Sequence, residues 1–233
     1  MNSITLNGVS SNTISGLLIQ SLPPISKPLM RAQVEEIDGR AGDIITKLGF
    51  AAYDKYISIG LYGNYNVDEV IKFFNSEGEV IFSNEPDKYY KYTILSQIDF
   101  ERLLRYRTAT IAFHCQPYKY SIAEGTITKE VSDITSINVI NAGNIEAKPQ
   151  ITLYGENDIT ISLNGAQIFN IALGDYGYIT LDADVMNAYT GNILMNRLVT
   201  GSYENLSLPI GTNTIEWTGT VTQISISNYS RWI

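Results

Sequence analysis

The chain carries one histidine, His114, so a Ser-His-Asp or Cys-His nucleophilic arrangement would have to be built on it. It lies in the apolar run Ile111-Ala112-Phe113-His114-Cys115. Neighbouring strand residues point to opposite faces, which separates His114 from Cys115 and predicts local structural roles for both. Paired carboxylates can cleave a glycosidic bond without histidine, one acid on each side of it. Two groups have the residue types: Glu35, Glu36 and Asp38, and Asp182 with Asp184, which alternation would place on one strand face. On an acidic chain both read as solvated faces. Asn157-Asp158 and the Asp182/Asp184 pair offer calcium-type oxygens, but no EF-hand-like loop surrounds them. Ile37-Asp38-Gly39-Arg40-Ala41-Gly42-Asp43 spaces two glycines as a phosphate cradle might require, yet lacks the Gly-Lys-Ser/Thr end of a P-loop and the strand-to-helix context of a dinucleotide motif. A tight turn positioning Arg40 is the expectation there. Sixteen tyrosines, Tyr89-Tyr90 among them, have the rings to stack on bases or sugars, but buried or interface positions suit an acidic chain better. The inventory predicts no catalytic residue, no cofactor-binding residue and no metal ligand, hence no enzyme.

The elements around these residues are mostly strands. Ile outnumbers Leu 32 to 18, Ala is only 13, and Asn, Thr and Ser contribute 19 each, which is strand and turn chemistry. One helix is predicted over Val67 to Asn75, where Val67, Val70, Ile71 and Phe74 share a face, Asn66 and Glu69 make a capping-box-like start and Gly78 follows the end. A hairpin should follow, with Glu79 to Ser83 and Tyr89 to Leu95 joined by Asn84-Glu85-Pro86-Asp87. Arg107 to Gln116 reads as a long strand closed by Pro117, and Pro23-Pro24-Ile25-Ser26-Lys27-Pro28 as an extended loop or edge crossing. In the second half Asp158 to Leu163 alternates cleanly, and Asn164-Gly165 is a two-residue hairpin turn leading into Gln167 to Leu173. Further strands are expected at Ser136 to Ile140, Gln150 to Tyr154, Tyr178 to Asp182, Thr214 to Thr218 and Gln223 to Ser227. Together they predict a β-sandwich of about 100 residues.

With 44% apolar and 17% charged residues the 233-residue chain is globular. Its net charge of −8 argues against direct nucleic-acid binding, which draws on Lys and Arg to release condensed counterions. A single cysteine, Cys115, excludes an intrachain disulfide and a Cys-rich zinc site. Neither a signal-peptide pattern at Met1 to Gly8 nor a twenty-residue apolar run is present, so no membrane insertion and a soluble, cytoplasmically made protein are expected. Residues 1 to 129 carry 13 basic against 14 acidic side chains, and 130 to 233 carry 3 against 10. The break predicts two domains, 1–128 and 129–233, with Ser121 to Thr126 as the seam.

Particular segments resemble a known family. Thr13-Ile14-Ser15-Gly16-Leu17, the Pro23 to Pro28 loop, Ile37-Asp38-Gly39-Arg40-x-Gly42-Asp43, the helix and hairpin from Asp68 to Tyr92, and Phe113-His114-Cys115-Gln116-Pro117-Tyr118-Lys119-Tyr120 resemble the N-terminal domain of the distal tail (Dit) proteins of long-tailed phages and prophages of Gram-positive bacteria. Asn141-x-Gly143-Asn144-x-Glu146-Ala147-Lys148-Pro149, Gly211-x-Asn213-x-Ile215 and Tyr229-x-Arg231-Trp232 resemble the C-terminal domain of that family. The resemblance implies a mainly β fold: an N-terminal β-sandwich-like ring domain with one helix and a hairpin, then a C-terminal galectin-like β-sandwich. It implies a homohexamer ring at the distal tail tip, assembled in the bacterial host cytoplasm. The hub would join the tail tube protein to the tail-associated lysin or tail fibre hub and to receptor-binding proteins, with no catalysis. At 233 residues no room is expected for the carbohydrate-binding insertions of larger members. The galectin sugar site is expected to be missing, since no histidine follows residue 125, only Arg197 and Arg231 remain as arginines there, and Trp217 alternates with Ile215 on a buried face. An acidic docking surface for a basic partner, weakened by salt, is the role expected of that half. The competing readings are a carbohydrate-binding adhesin acting through the C-terminal sandwich and a cell-wall hydrolase.

Overall fold

A computed structural model describes residues 1–74, 77–132 and 134–233. They form two compact units, Met1–Lys119 with Ile233, and Tyr120–Trp232.

The first unit contains β1 (Ile4–Leu6), β2 (Val9–Ser10), β3 (Leu17–Ser21), β4 (Met30–Glu35), β5 (Ile44–Phe50), β6 (Tyr53–Leu61), α1 (Val67–Phe73), β7 (Glu77–Phe82), β8 (Lys88–Thr93), α2 (Phe100–Tyr106) and most of β9 (Thr108–Ser121). Seven strands make one sheet in the order β2-β1-β7-β8-β9-β6-β3. Its alternate residues bury Ile57 and Ile59, Val80 and Phe82, and Ile111 and Phe113 in a single core. Phe113 meets the rings of Phe82 and Tyr92 edge-on at centroid distances of 5.9 and 5.0 Å, the geometry that aromatic quadrupoles favour.

The expected helix forms, with the Asn66 side chain accepting from the Asp68 N–H. Its inward face is Val70, Phe73 and Phe74, while Ile71 is 42% exposed. In so short a helix the face centres on the Phe73–Phe74 edge pair, and Ile71 lies one residue's rotation away from Val70. Asn75, the expected last helical residue, lies outside the described residues. Gly78 belongs to β7, where the Asn7 amide donates to the Glu77 carbonyl and its oxygen accepts from the Glu79 N–H. A second helix, α2, has only Leu103 buried and is started by Asp99, which accepts from the Arg102 N–H at 2.8 Å. β9 continues through Pro117 rather than ending there; its pairing with β6 stops at Cys115, so Pro117 lies beyond that ladder.

The second unit contains β10 (Ile127–Glu130), β11 (Ser136–Asn141), β12 (Gln150–Leu163), β13 (Ala166–Gly174), β14 (Tyr178–Asp182), β15 (Asn187–Thr190), β16 (Ile193–Leu194), β17 (Val199–Gly201) and β18 (Gly211–Ser227). The pairs of strands expected at Gln150–Tyr154 and Asp158–Leu163, and at Thr214–Thr218 and Gln223–Ser227, are the halves of two long strands, β12 and β18. Each long strand serves two layers. The first half of β12 pairs with β14 and the second with β13, while β18 stays beside β12 throughout, with register shifts at Tyr154/Gly155 and Glu156/Thr160. At the bend the two backbones nearly touch: a Cβ on Gly155 would lie 2.1 Å from the Thr220 carbonyl oxygen, and one on Gly219 2.2 Å from that of Asp158. Only glycine fits such a crossing. Inward residues of both layers, among them Ile151, Leu153, Ile161, Leu163, Ile224 and Trp217, form one core. This is a β-sandwich.

Asn164-Gly165 makes the expected hairpin turn, with φ of 50° and 81°. The Asn164 side chain also accepts from the Thr214 N–H and donates to Asn213. Gly143, in the first C-terminal motif, lies so close to the last residues that a Cβ would sit 1.9 Å from the Arg231 carbonyl oxygen. Arg231 itself is buried and donates from Nε to the Glu146 carbonyl at 2.8 Å. These motifs hold the ends of the second unit together.

Candidate functional site

His114 and Cys115 lie on opposite sides of β9. The His114 Nδ1 is 2.8 Å from Asp54 Oδ1 on the neighbouring β6, at the partly exposed outer face. Cys115 is buried, and that burial pushes its thiol up to about 12. A protonated, enclosed thiol turned away from the imidazole is a core residue rather than a nucleophile. Asp54 is a partner the sequence did not single out; its register opposite His114 appears only once β6 and β9 are paired.

Interior to the same strands is a polar cluster. Lys55 is buried among the rings of Tyr90, Tyr53 and Phe82, 4.7, 5.2 and 5.9 Å from the centroids, and donates to the Pro24 carbonyl at 3.2 Å. Desolvation lowers its ammonium below the ordinary value. Lys119 pairs with Glu85 at 2.9 Å with both side chains largely enclosed, and the Tyr90 hydroxyl donates to the other Glu85 oxygen. The Tyr90 hydroxyl is pushed strongly upward, first by burial and then by that carboxylate. Every charged member has a partner of complementary character, so the cluster pins the Pro23 to Pro28 loop and the β7–β8 turn to the core.

The remaining sequence candidates do not converge. Glu35 ends β4, and Glu36 and Asp38 lie with Arg40 in the exposed tip between β4 and β5. Asp184 is not on a strand face with Asp182. It lies in the turn after β14, where Asp182 Oδ1 accepts from the N–H groups of Asp184 and Val185, a local bond that outcompetes continuation of the strand. Asn157 sits at the β12 bend with φ of 61°. Among the described residues no group of three or more His, Cys, Asp or Glu side chains is arranged to hold a metal ion. Trp217 is buried beside Ile215.

What stands out is a surface. β4 and β5 form a two-stranded sheet of their own. Register places Met30, Ala32, Val34, Ile45, Lys47 and Phe50 on one face and Arg31, Gln33, Glu35, Ile44 and Thr46 on the other. Phe50 is anchored at the base by an edge contact with Tyr118, 6.3 Å between centroids. Further out, Val34 is 55% and Ile45 61% exposed. Among the described residues this hairpin pairs with no other strand, and two strands alone are marginal in water, so exposed apolar side chains on one are a candidate contact surface.

Residues 12–115 match the family profile of the phage tail protein RIFT-related domain. No curated protein sequence matches the chain. Among solved structures, the Dit protein of phage SPP1, from the hub adsorption apparatus of a phage infecting Gram-positive bacteria, aligns over 100% of both chains with a TM-score of 0.67 and 15% identity. A chain of the phage p2 baseplate in its activated conformation with Ca aligns over 100% of this chain and 98% of its own at a TM-score of 0.56 and 10% identity. The first unit thus has the sequence pattern of a phage tail protein domain. Over its whole length the chain has the fold of a phage distal tail protein, and the profile match falls within the N-terminal part of the resemblance read from the sequence.

Proposed function

We propose that the protein is a structural, non-catalytic hub of a phage tail tip. Residues 1–128 would close a homohexameric ring on the tail tube, and the galectin-like sandwich of residues 129–233 would stand apart from ring closure. Assembled in the bacterial host cytoplasm, the hub would join the tube to the tail-associated lysin and the host-adsorption proteins. The phage tail profile over residues 12–115 and the full-length likeness to SPP1 Dit support this reading. The observation that carries ring formation is the β4–β5 hairpin, whose Val34 and Ile45 side chains are exposed. A closed ring repeats a head-to-tail contact between two unlike faces, and the hairpin would supply one of them. The near balance of charge in residues 1 to 129, 13 basic against 14 acidic, keeps six copies from repelling one another.

The test is light scattering on the full chain and on Val34→Asp and Ile45→Asp. Both positions are exposed, so folding should be preserved while a charge enters the buried centre of the contact. The expected outcome is a ring for the parent and single chains for the variants. Variants with the parent's mass would remove the hairpin from the account.

A further inference from the structure

A head-to-tail ring needs a second face that fits the hairpin, and the opposite edge of the first unit offers one. In the seven-stranded sheet β3 is one edge strand and β2 the other. The hairpin β4–β5 leaves the chain between β3 and β6, at the first of these edges. At the far edge, roughly 30 Å across the sheet at the usual strand spacing, a groove opens between β1, β2 and α1. Among the described residues Leu6, Val9, Ile14 and Phe73 wall it, and it holds about 570 Å³. Leu6 and Phe73 belong to the buried core, whereas Val9 is 49% exposed.

The lining of the groove says what it can take. Asn7, the polar side chain on its wall, is already spent: its amide donates to the Glu77 carbonyl and its oxygen accepts from the Glu79 N–H. A small polar ligand would find little there to orient it, while aliphatic side chains would meet aliphatic walls. The exposed Glu69, Lys72 and Glu77 border the opening, two carboxylates against one ammonium. The hairpin face that bears Val34 and Ile45 has the complementary character. Within the paired strands its one charged side chain is Lys47, exposed and two residues from Ile45.

We propose that this groove receives the Val34–Ile45 face of the hairpin of a second copy of the chain, with Lys47 beside the bordering carboxylates. The chain's own hairpin is too short to serve. Val34 stands four residues beyond Met30, about 13 Å along a strand, and the groove lies at the other edge of the sheet. Two unlike faces at opposite edges of one sheet are what a contact repeated head to tail requires. Aliphatic burial would supply the adhesion and the lysine among carboxylates the register. This inference rests on the reading of the hairpin as the ring-closing contact and adds the surface that meets it.

The experiment mixes two variants and follows mass by light scattering, with thermal melting as the check on folding. Val9→Asp spoils the groove and spares the hairpin, and Val34→Asp does the reverse. Each alone is expected to stay a single chain where the parent forms a ring. Mixed one to one, the hairpin of Val9→Asp meets the groove of Val34→Asp, and the expected product is a pair of chains that grows no further, because its two outer faces are both spoiled. A chain carrying both changes is expected to pair with neither variant. If Val9→Asp assembles as the parent does while Val34→Asp stays single, the groove is overturned and the hairpin contact stands. If Val34→Asp also forms the ring, or the parent never assembles, hairpin and groove fall together. Two single-chain variants that remain single when mixed leave no second copy in the groove and overturn the inference. Should Val9→Asp fail to fold, Glu69→Lys combined with Glu77→Lys, both at exposed positions, takes its place in the mixture.

Discussion

Lys55 shares the inward phase of β6 with Tyr53, Ile57 and Ile59, and that alternation was the available sign of a buried lysine. Its partners were not legible, because Glu85 and Lys119 meet only when the β7–β8 turn and the end of β9 come together. Removing one member strands a charge. Glu85→Ala leaves Lys119 enclosed without its carboxylate, and the expected loss is about 3 kcal/mol in urea unfolding. The pH dependence has a sign. Burial holds the Cys115 proton in the folded chain up to about 12, above the ordinary thiol value of 9.0, so its contribution is complete below the unfolded value and is lost as pH rises through the folded one. Lys55 works the other way: its lowered value makes folding more favourable as pH climbs toward the ordinary lysine range. Cys115→Val removes the first effect and keeps the second. Its stability relative to its own value at neutral pH should therefore decline less than the parent's over pH 9 to 12, followed by urea midpoints at each pH. An equal or steeper decline would contradict the burial argument.

Elements governed by local chemistry were legible. The Asn164-Gly165 turn with its flanking strands, the Asn66-capped start of α1 and the strand at Tyr178–Asp182 follow from turn residues and alternation. Elements set by tertiary contacts were not. α2 has one buried residue and therefore no apolar periodicity to display. The tip at residues 37–43 was visible as a turn, but the β4–β5 hairpin around it bears its apolar side chains outward, so nothing in the sequence showed that they lacked a cover. β12 and β18 read as four short strands because Gly155 and Gly219 resemble breaks, whereas they are where two continuous strands bend across one another. Gly219→Ala places a Cβ against the Asp158 carbonyl and forces a backbone with φ of 92° onto alanine. The expected cost is about 3 kcal/mol, checked by thermal or urea unfolding. A change within about half a kcal/mol would mean that the crossing is looser than drawn.

At the scale of the molecule, the sequence resemblance and the structure agree on the fold of a distal tail protein, while the candidate acids lie at a strand end and in turns and the lone histidine lies on a partly exposed sheet face. The proposed hub role therefore rests on a surface, the exposed apolar hairpin of the first unit. Such surfaces are hard to read in a sequence, because an uncovered apolar strand and a buried one share the same alternation. The measurement that bears most directly on the hub is the native mass of the purified chain, combined with negative-stain imaging. The account predicts a ring of six copies of the 25.9 kDa chain. A protein that stays a single chain at every concentration, or assembles into open filaments, would contradict it.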